Sequence, residues 1–183
     1  AAKVETYRQM ADHATGNLTA QIKDWSKFLM MAGQFYKYSF GDYKVNDPGY
    51  DKLGFTIHNY FLAKALDQLR PGGVMAFVTS RYTMDSKDST VRKYLAERAD
   101  LLGAIRLPNN AFKANAGTDV VADIIFFQKR EEPAVELPDW VSVMENQDGY
   151  PINVYFNDHP EMVLGCPGVE STRYGHDYTV HPA

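Results

Sequence analysis

The sequence predicts a small α/β sheet of three strands, with helices flanking it. Three observations carry this. A helical apolar stripe ends at Arg70-Pro71-Gly72-Gly73 and gives way at once to the apolar run Val74 to Ser80. A second strand-like run, Leu101 to Leu107, follows a helix-spaced stretch over 88–99. A third apolar run, Val120 to Gln128 with Ile124, Ile125, Phe126 and Phe127, comes after a loop. Runs of this length bounded by turn residues read as buried strands, while three- and four-residue spacing reads as helix.

The elements follow in order. Leu18, Ile22, Trp25, Phe28, Leu29, Ala32 and Phe35 mark one face of a helix with Asn17 as N-cap, and residues 4–14 suggest a shorter helix before it. Residues 41–52 hold Gly, Asp, Asn, Pro and Tyr and read as a loop. The next helix places Phe55, Leu62, Leu66 and Leu69 inward, with Phe61 and Ala65 widening the face. Proline and glycine then stop it. In the helix over 88–99, Val91, Tyr94 and Leu95 face inward, with Asp85 and Asp88 flanking its start as capping residues.

The unit of strand, helix and strand predicts a parallel crossover pair. The last strand follows a loop from Pro108 to Asp119 without helical spacing, which predicts an antiparallel return. Glu131 to Pro138 reads as a charged linker, Ile152 to Met162 as a short helix broken at Pro160, and Arg173 to Val180 as a short strand.

Composition narrows the function classes. The 183 residues suffice for one domain with a core, or one domain and an appendage. No apolar run approaches the roughly 20 residues of a membrane span. The chain opens on Ala1-Ala2 with no basic-then-apolar leader, as a fragment or processed chain would, and nothing argues for secretion. Cys166 is the single cysteine, so an intrachain disulfide is excluded and a cytoplasmic location is expected. The five histidines lack metal-ligand spacing, so no metal is expected. Charge is uneven. Residues 1–130 hold 18 Lys+Arg against 13 Asp+Glu, a net +5, and residues 131–183 hold one Arg against 10 acids, a net −9. A basic body permits DNA contact without demanding it, since excess charge is usually a solvated surface.

The stretches LRPGGVMAFVTSRYTMD and VRKYLAERADLLGAIRLPNNAFKANAGTDVVADIIFFQKR contain, in order, Pro-Gly-Gly before a strand, Ile-x-Leu-Pro-x-x-x-Phe and Thr-x-x-x-x-x-Ile-Ile-Phe-x-x-Lys. This series resembles the second half of the N6-adenine DNA methyltransferase fold. More narrowly, it is similar to the methylase segment of the large methylase–helicase proteins of bacterial mobile elements. That resemblance runs from about Gly41 to Val180. Residues 15–40 are similar to a segment that lies far upstream in the same proteins, so Phe40-Gly41 reads as the junction of an internal deletion. The implied fold is a partial Rossmann-like methyltransferase sheet, its last strand antiparallel, with an N-terminal helical segment. The implied domains are 1–40 (helical), 41–130 (methyltransferase-like) and 131–183 (acidic linker and extension).

The resemblance implies restriction–modification chemistry: methyl transfer from S-adenosylmethionine to a flipped-out adenine. Two motifs of that chemistry are missing. None of the 13 glycines lies two positions from another, so no Gly-x-Gly turn exists for the cofactor. None of the nine prolines is adjacent to another, and where the family carries its Asn-Pro-Pro-aromatic loop this chain has Lys37, Tyr38, Ser39 and Phe40. Phe40 is thus the degenerate remnant of a catalytic loop. No cofactor-binding residue is assigned, and the chain alone is expected to hold no S-adenosylmethionine and to be inactive. Candidate DNA contacts are Arg81 and Tyr82, after the first strand, and Asn109, Asn110, Lys113, Asn115 and Thr118 in the following loop. Surface or solvated-loop roles compete with each. The alternative function is a non-catalytic module that binds DNA or self-associates through an exposed sheet edge.

Overall fold

The computed structural model describes residues 49–50, 53–117, 119–172 and 175–183, with only the backbone at 115 and 116. Phe40, Thr118 and both N-terminal helices expected above lie outside the described residues. Helix α1 spans Ile57–Gln68, strand β1 Val74–Ser80, the single turn α2 Tyr82–Asp85, and α3 Thr90–Arg98. Strand β2 spans Ala99–Leu107, the turn α4 Lys113–Ala116, and β3 Ala122–Lys129. A 3-10 turn at Asp139–Val141 leads to β4 (Val143–Glu145), β5 (Pro151–Asn153) and α5 (Val154–Asp158). A further 3-10 turn at Pro160–Met162 precedes the hairpin of β6 (Cys166–Thr172) and β7 (Gly175–His181).

The main sheet has the order β1-β3-β2, and β3 pairs antiparallel with both neighbours. The antiparallel last strand agrees with expectation. The parallel pair does not: β1 and β2 share a direction but never hydrogen-bond, because β3 is inserted between them. The reason lies in β3 itself. Ile124 to Phe127 is apolar at every position, which suits a strand covered on both faces, whereas β1 carries exposed Val74 and Ala76. Among the described residues, β4-β5 and β6-β7 form two smaller antiparallel pairs.

The core lies on the face of the sheet that carries Ile125 and Phe127. Leu62, Ala63 and Leu66 of α1, Val91, Leu95 and Ala96 of α3, and Trp140, Val141 and Phe156 pack with them. Phe61 is instead exposed, so the apolar face of α1 is narrower than its spacing suggested. The helix expected over Ile152–Met162 with a break at Pro160 appears as α5 and the 3-10 turn at Pro160–Met162, its start displaced to Val154 by β5. Residues 151–153 are strand, and the Asn153 side chain caps α5 by accepting from Tyr155 N–H at 2.9 Å. Its amide nitrogen donates to the carbonyls of Met84 and Trp140, both at 2.8 Å, tying α2 to the 3-10 turn. The loop 108–119, expected without helix, holds the turn α4 closed by Gly117 at positive φ.

Candidate nucleic-acid interface

Open α/β sheets place ligands beyond the C-terminal ends of their parallel strands. At that end of β1 the chain turns directly into α2, with Ser80, Arg81 and Tyr82 and no glycine. Arg81 is buried, and two carboxylates hold its guanidinium. Nη1 lies 3.4 Å from Asp85 Oδ2, and Nη2 donates to Asp177 Oδ1 on β7 at 2.5 Å. Tyr82 is 56% exposed. Its ring lies over the Arg81 guanidinium at 4.2 Å, and its hydroxyl donates to Asp177 Oδ2 at 2.7 Å. One face of the ring is thus backed by a cation and its rim is pinned by a carboxylate. Burial pushes the Tyr82 phenol up, and the Asp177 contact adds to this. Burial would also raise the Asp177 carboxyl, but the bonds from Tyr82 and Arg81 outweigh it and hold it low.

Beneath this patch runs a buried ladder of charge. Arg106 on β2 is fully buried and grips Asp123 of β3 with two bonds, Nε to Oδ1 at 2.8 Å and Nη2 to Oδ2 at 2.9 Å. The two residues are direct cross-strand partners. Nη1 of Arg106 reaches Asp85 Oδ2 at 2.9 Å, so Asp85 bridges Arg106 and Arg81. Asp85 Oδ1 accepts from Asn153 N–H at 3.0 Å. Burial lowers the Arg106 pKa, but Asp123 and Asp85 together more than reverse this and raise it well above the ordinary value. Burial pushes Asp123 up against the pull of Arg106. Such a network is satisfied only as a set.

The sequence assigned Asp85 to a helix cap, and the structure corrects this: Asp85 is a buried ladder member. Asp88 does serve the start of α3, accepting from Thr90 N–H at 2.9 Å. The ladder escaped the sequence reading, yet a signal was there. Arg106 and Asp123 are opposite charges at inward positions of two largely apolar strands.

The β6–β7 hairpin gathers several candidate residues. Asn109 is half-buried, and its side-chain amide donates to Glu170 Oε2 and Thr179 Oγ1, both at 3.2 Å. Its backbone N–H donates to Val180 O at 2.7 Å. Arg81, Tyr82 and Asn109 therefore converge on one hairpin. Asn110 is exposed on the adjoining turn. Lys113 is exposed too, with its ammonium 3.1 Å from Asp119. Among the described residues, neither makes a polar bond to the hairpin. Among the described residues no His, Cys, Asp and Glu grouping suits a metal, and no helix is long and apolar enough to cross a membrane.

The N-6 DNA Methylase family profile matches residues 31–153, well over half of the 183 residues. The chain belongs to the N-6 DNA methylase family. A second match is to "Defense against restriction protein B" of Escherichia phage P1, 37% identical over 82 residues. It covers 44% of this methylase-family chain and 4% of the phage protein. No solved structure matches the chain.

Proposed function

We propose that this chain is a remnant or one part of a split S-adenosylmethionine-dependent adenine-specific DNA methyltransferase, inactive alone. Family membership supports the ancestry. The observation that carries the loss is chemical. The chain has no Gly-x-Gly turn for the cofactor, and β1, which resembles a strand of the family's second half, ends on Arg81 held by two carboxylates. Arg81 and its carboxylates do not fit S-adenosylmethionine. Phe40 keeps the aromatic of the catalytic loop, but Lys37 at the place of the asparagine is a cation and cannot accept from an adenine amino group. The test is transfer of labelled methyl from S-adenosylmethionine to adenine-containing duplex DNA by the purified chain. No incorporation is expected, and stoichiometric or catalytic labelling of adenine overturns the reading.

The second reading is a DNA-binding module, favoured by the exposure of Tyr82. With Arg81 held by Asp177 and Lys113 beside Asp119, the contact in this reading is one base stacked on the open face of Tyr82, not a row of phosphate pairs. Stacking of this kind is worth about 1–3 kcal/mol per base. Tyr82→Ala should then weaken binding to single-stranded DNA by roughly ten- to a hundredfold. Equal affinity of the variant and the native chain removes this reading. The restriction-defence role in the phage relative's name extends to this chain only as a setting for either activity.

A further inference from the structure

The two edges of the main sheet are finished differently. On β1, the alternation of ladder bonds is fixed by Lys129 N–H to Gly73 O at one end and Arg81 N–H to Val121 O at the other. With Val74 opposite Gln128 and Ser80 opposite Ala122, the even-numbered residues form the non-hydrogen-bonded pairs. The N–H and C=O groups of Val74, Ala76 and Val78 therefore point away from β3. Among the described residues no backbone group meets them. Nothing in Val-Met-Ala-Phe-Val-Thr-Ser blunts this edge: it has no charge, proline, glycine or bulge. Val74 is 58% exposed and Ala76 is exposed beside it.

We propose that this edge pairs antiparallel with β1 of a second copy of the chain, about a two-fold axis at Phe77. In that register Ala76 faces Val78 of the other copy and Val74 faces Ser80. Outward backbone groups then meet only outward groups, each pair exchanging two N–H···O bonds. Because the strand carries no charge, self-pairing buries none. A surface that complements itself is what a two-fold dimer requires. The result joins two three-stranded sheets edge to edge and hides the groups that invite indiscriminate pairing.

Sedimentation velocity on the full chain across a concentration series tests this, with native protein and Ala76→Lys side by side. Ala76 is exposed, so the variant should melt as the native chain does at dilutions where the dimer has dissociated. A dimer that dissociates on dilution and is lost in Ala76→Lys supports the proposal. A monomer at every concentration overturns it, as does a dimer that survives the lysine or a chain that pairs only with a different protein. Should the variant misfold, amide exchange on the native chain decides. The Ala76 and Val78 amides should exchange more slowly at high concentration than at low. Equal exchange at both concentrations overturns the proposal.

Discussion

The edge at β2 is the counterpart of the one at β1, and the contrast shows how much of this fold is spent on closing one side. Strand β2 carries a bulge between Leu101 and Gly103 and an exposed Asp100 paired with Arg130. Two of its outward groups are occupied. The Ala104 N–H donates to the Tyr155 hydroxyl at 3.1 Å, and the Arg106 carbonyl accepts from Leu164 N–H at 2.9 Å. Val163 forms a parallel bridge to Arg106 at the same place. Bulges, charges and covering segments are the usual ways of protecting an edge. The whole segment from Tyr155 to Leu164 supplies such a cover for β2, and nothing described does so for β1.

The largest effect expected from breaking this arrangement is at Arg106, which anchors the closed edge from inside. Arg106→Met leaves Asp123 buried without its cation and Asp85 with Arg81 alone, a loss of about 3–5 kcal/mol by the usual cost of breaking a buried pair. Denaturant unfolding measures it. The double change with Asp123→Leu should recover part of the loss.

Gly165 comes next. It holds φ +143°, and a Cβ there would lie 2.2 Å from the His181 carbonyl oxygen. Gly165→Ala should cost about 1–3 kcal/mol in strain and loosen the Leu164 bond to β2. Tyr155→Phe removes only the hydroxyl on Ala104 N–H, a change of about 1 kcal/mol. Amide exchange at Ala104 should accelerate while the exchange of Ala76, on the other edge, is unchanged.

The smallest effect is a pH response at the hairpin. The folded Asp177 carboxyl sits below its ordinary value of 3.8. Its stabilising contribution is therefore complete above that value and lost as pH falls through the lower folded value. Asp177 is partly solvated, so the change is modest. Acid titration followed at Tyr82 should show it, and Asp177→Asn should abolish it.

Much of this was written in the sequence at the level of elements. The strands at Val74–Ser80, Leu101–Leu107 and Val120–Gln128 stand within two residues of their observed ends, because apolar runs and the Pro71-Gly72-Gly73 stop are local signals. Strand order was not local. Chain order suggested that β1 and β2 were neighbours, and only the uninterrupted Ile-Ile-Phe-Phe of β3 hinted at the central place it takes. The candidate site was legible in part. Tyr82 is exposed as a DNA contact needs, whereas Arg81 is committed to Asp85 and Asp177, partners 4 and 96 positions away. The second of these depends on a hairpin of which β6 left no clear pattern. Its burial pattern alternates weakly, with Pro167 and Gly168 inside it.

In the reading proposed above, the chain, which has no Gly-x-Gly turn, lacks the cofactor half of the family's enzyme. Calorimetric titration of S-adenosylmethionine into the purified protein tests that claim most directly. The account predicts no saturable heat even at millimolar ligand. Binding at a single site would contradict it and return catalysis to first place.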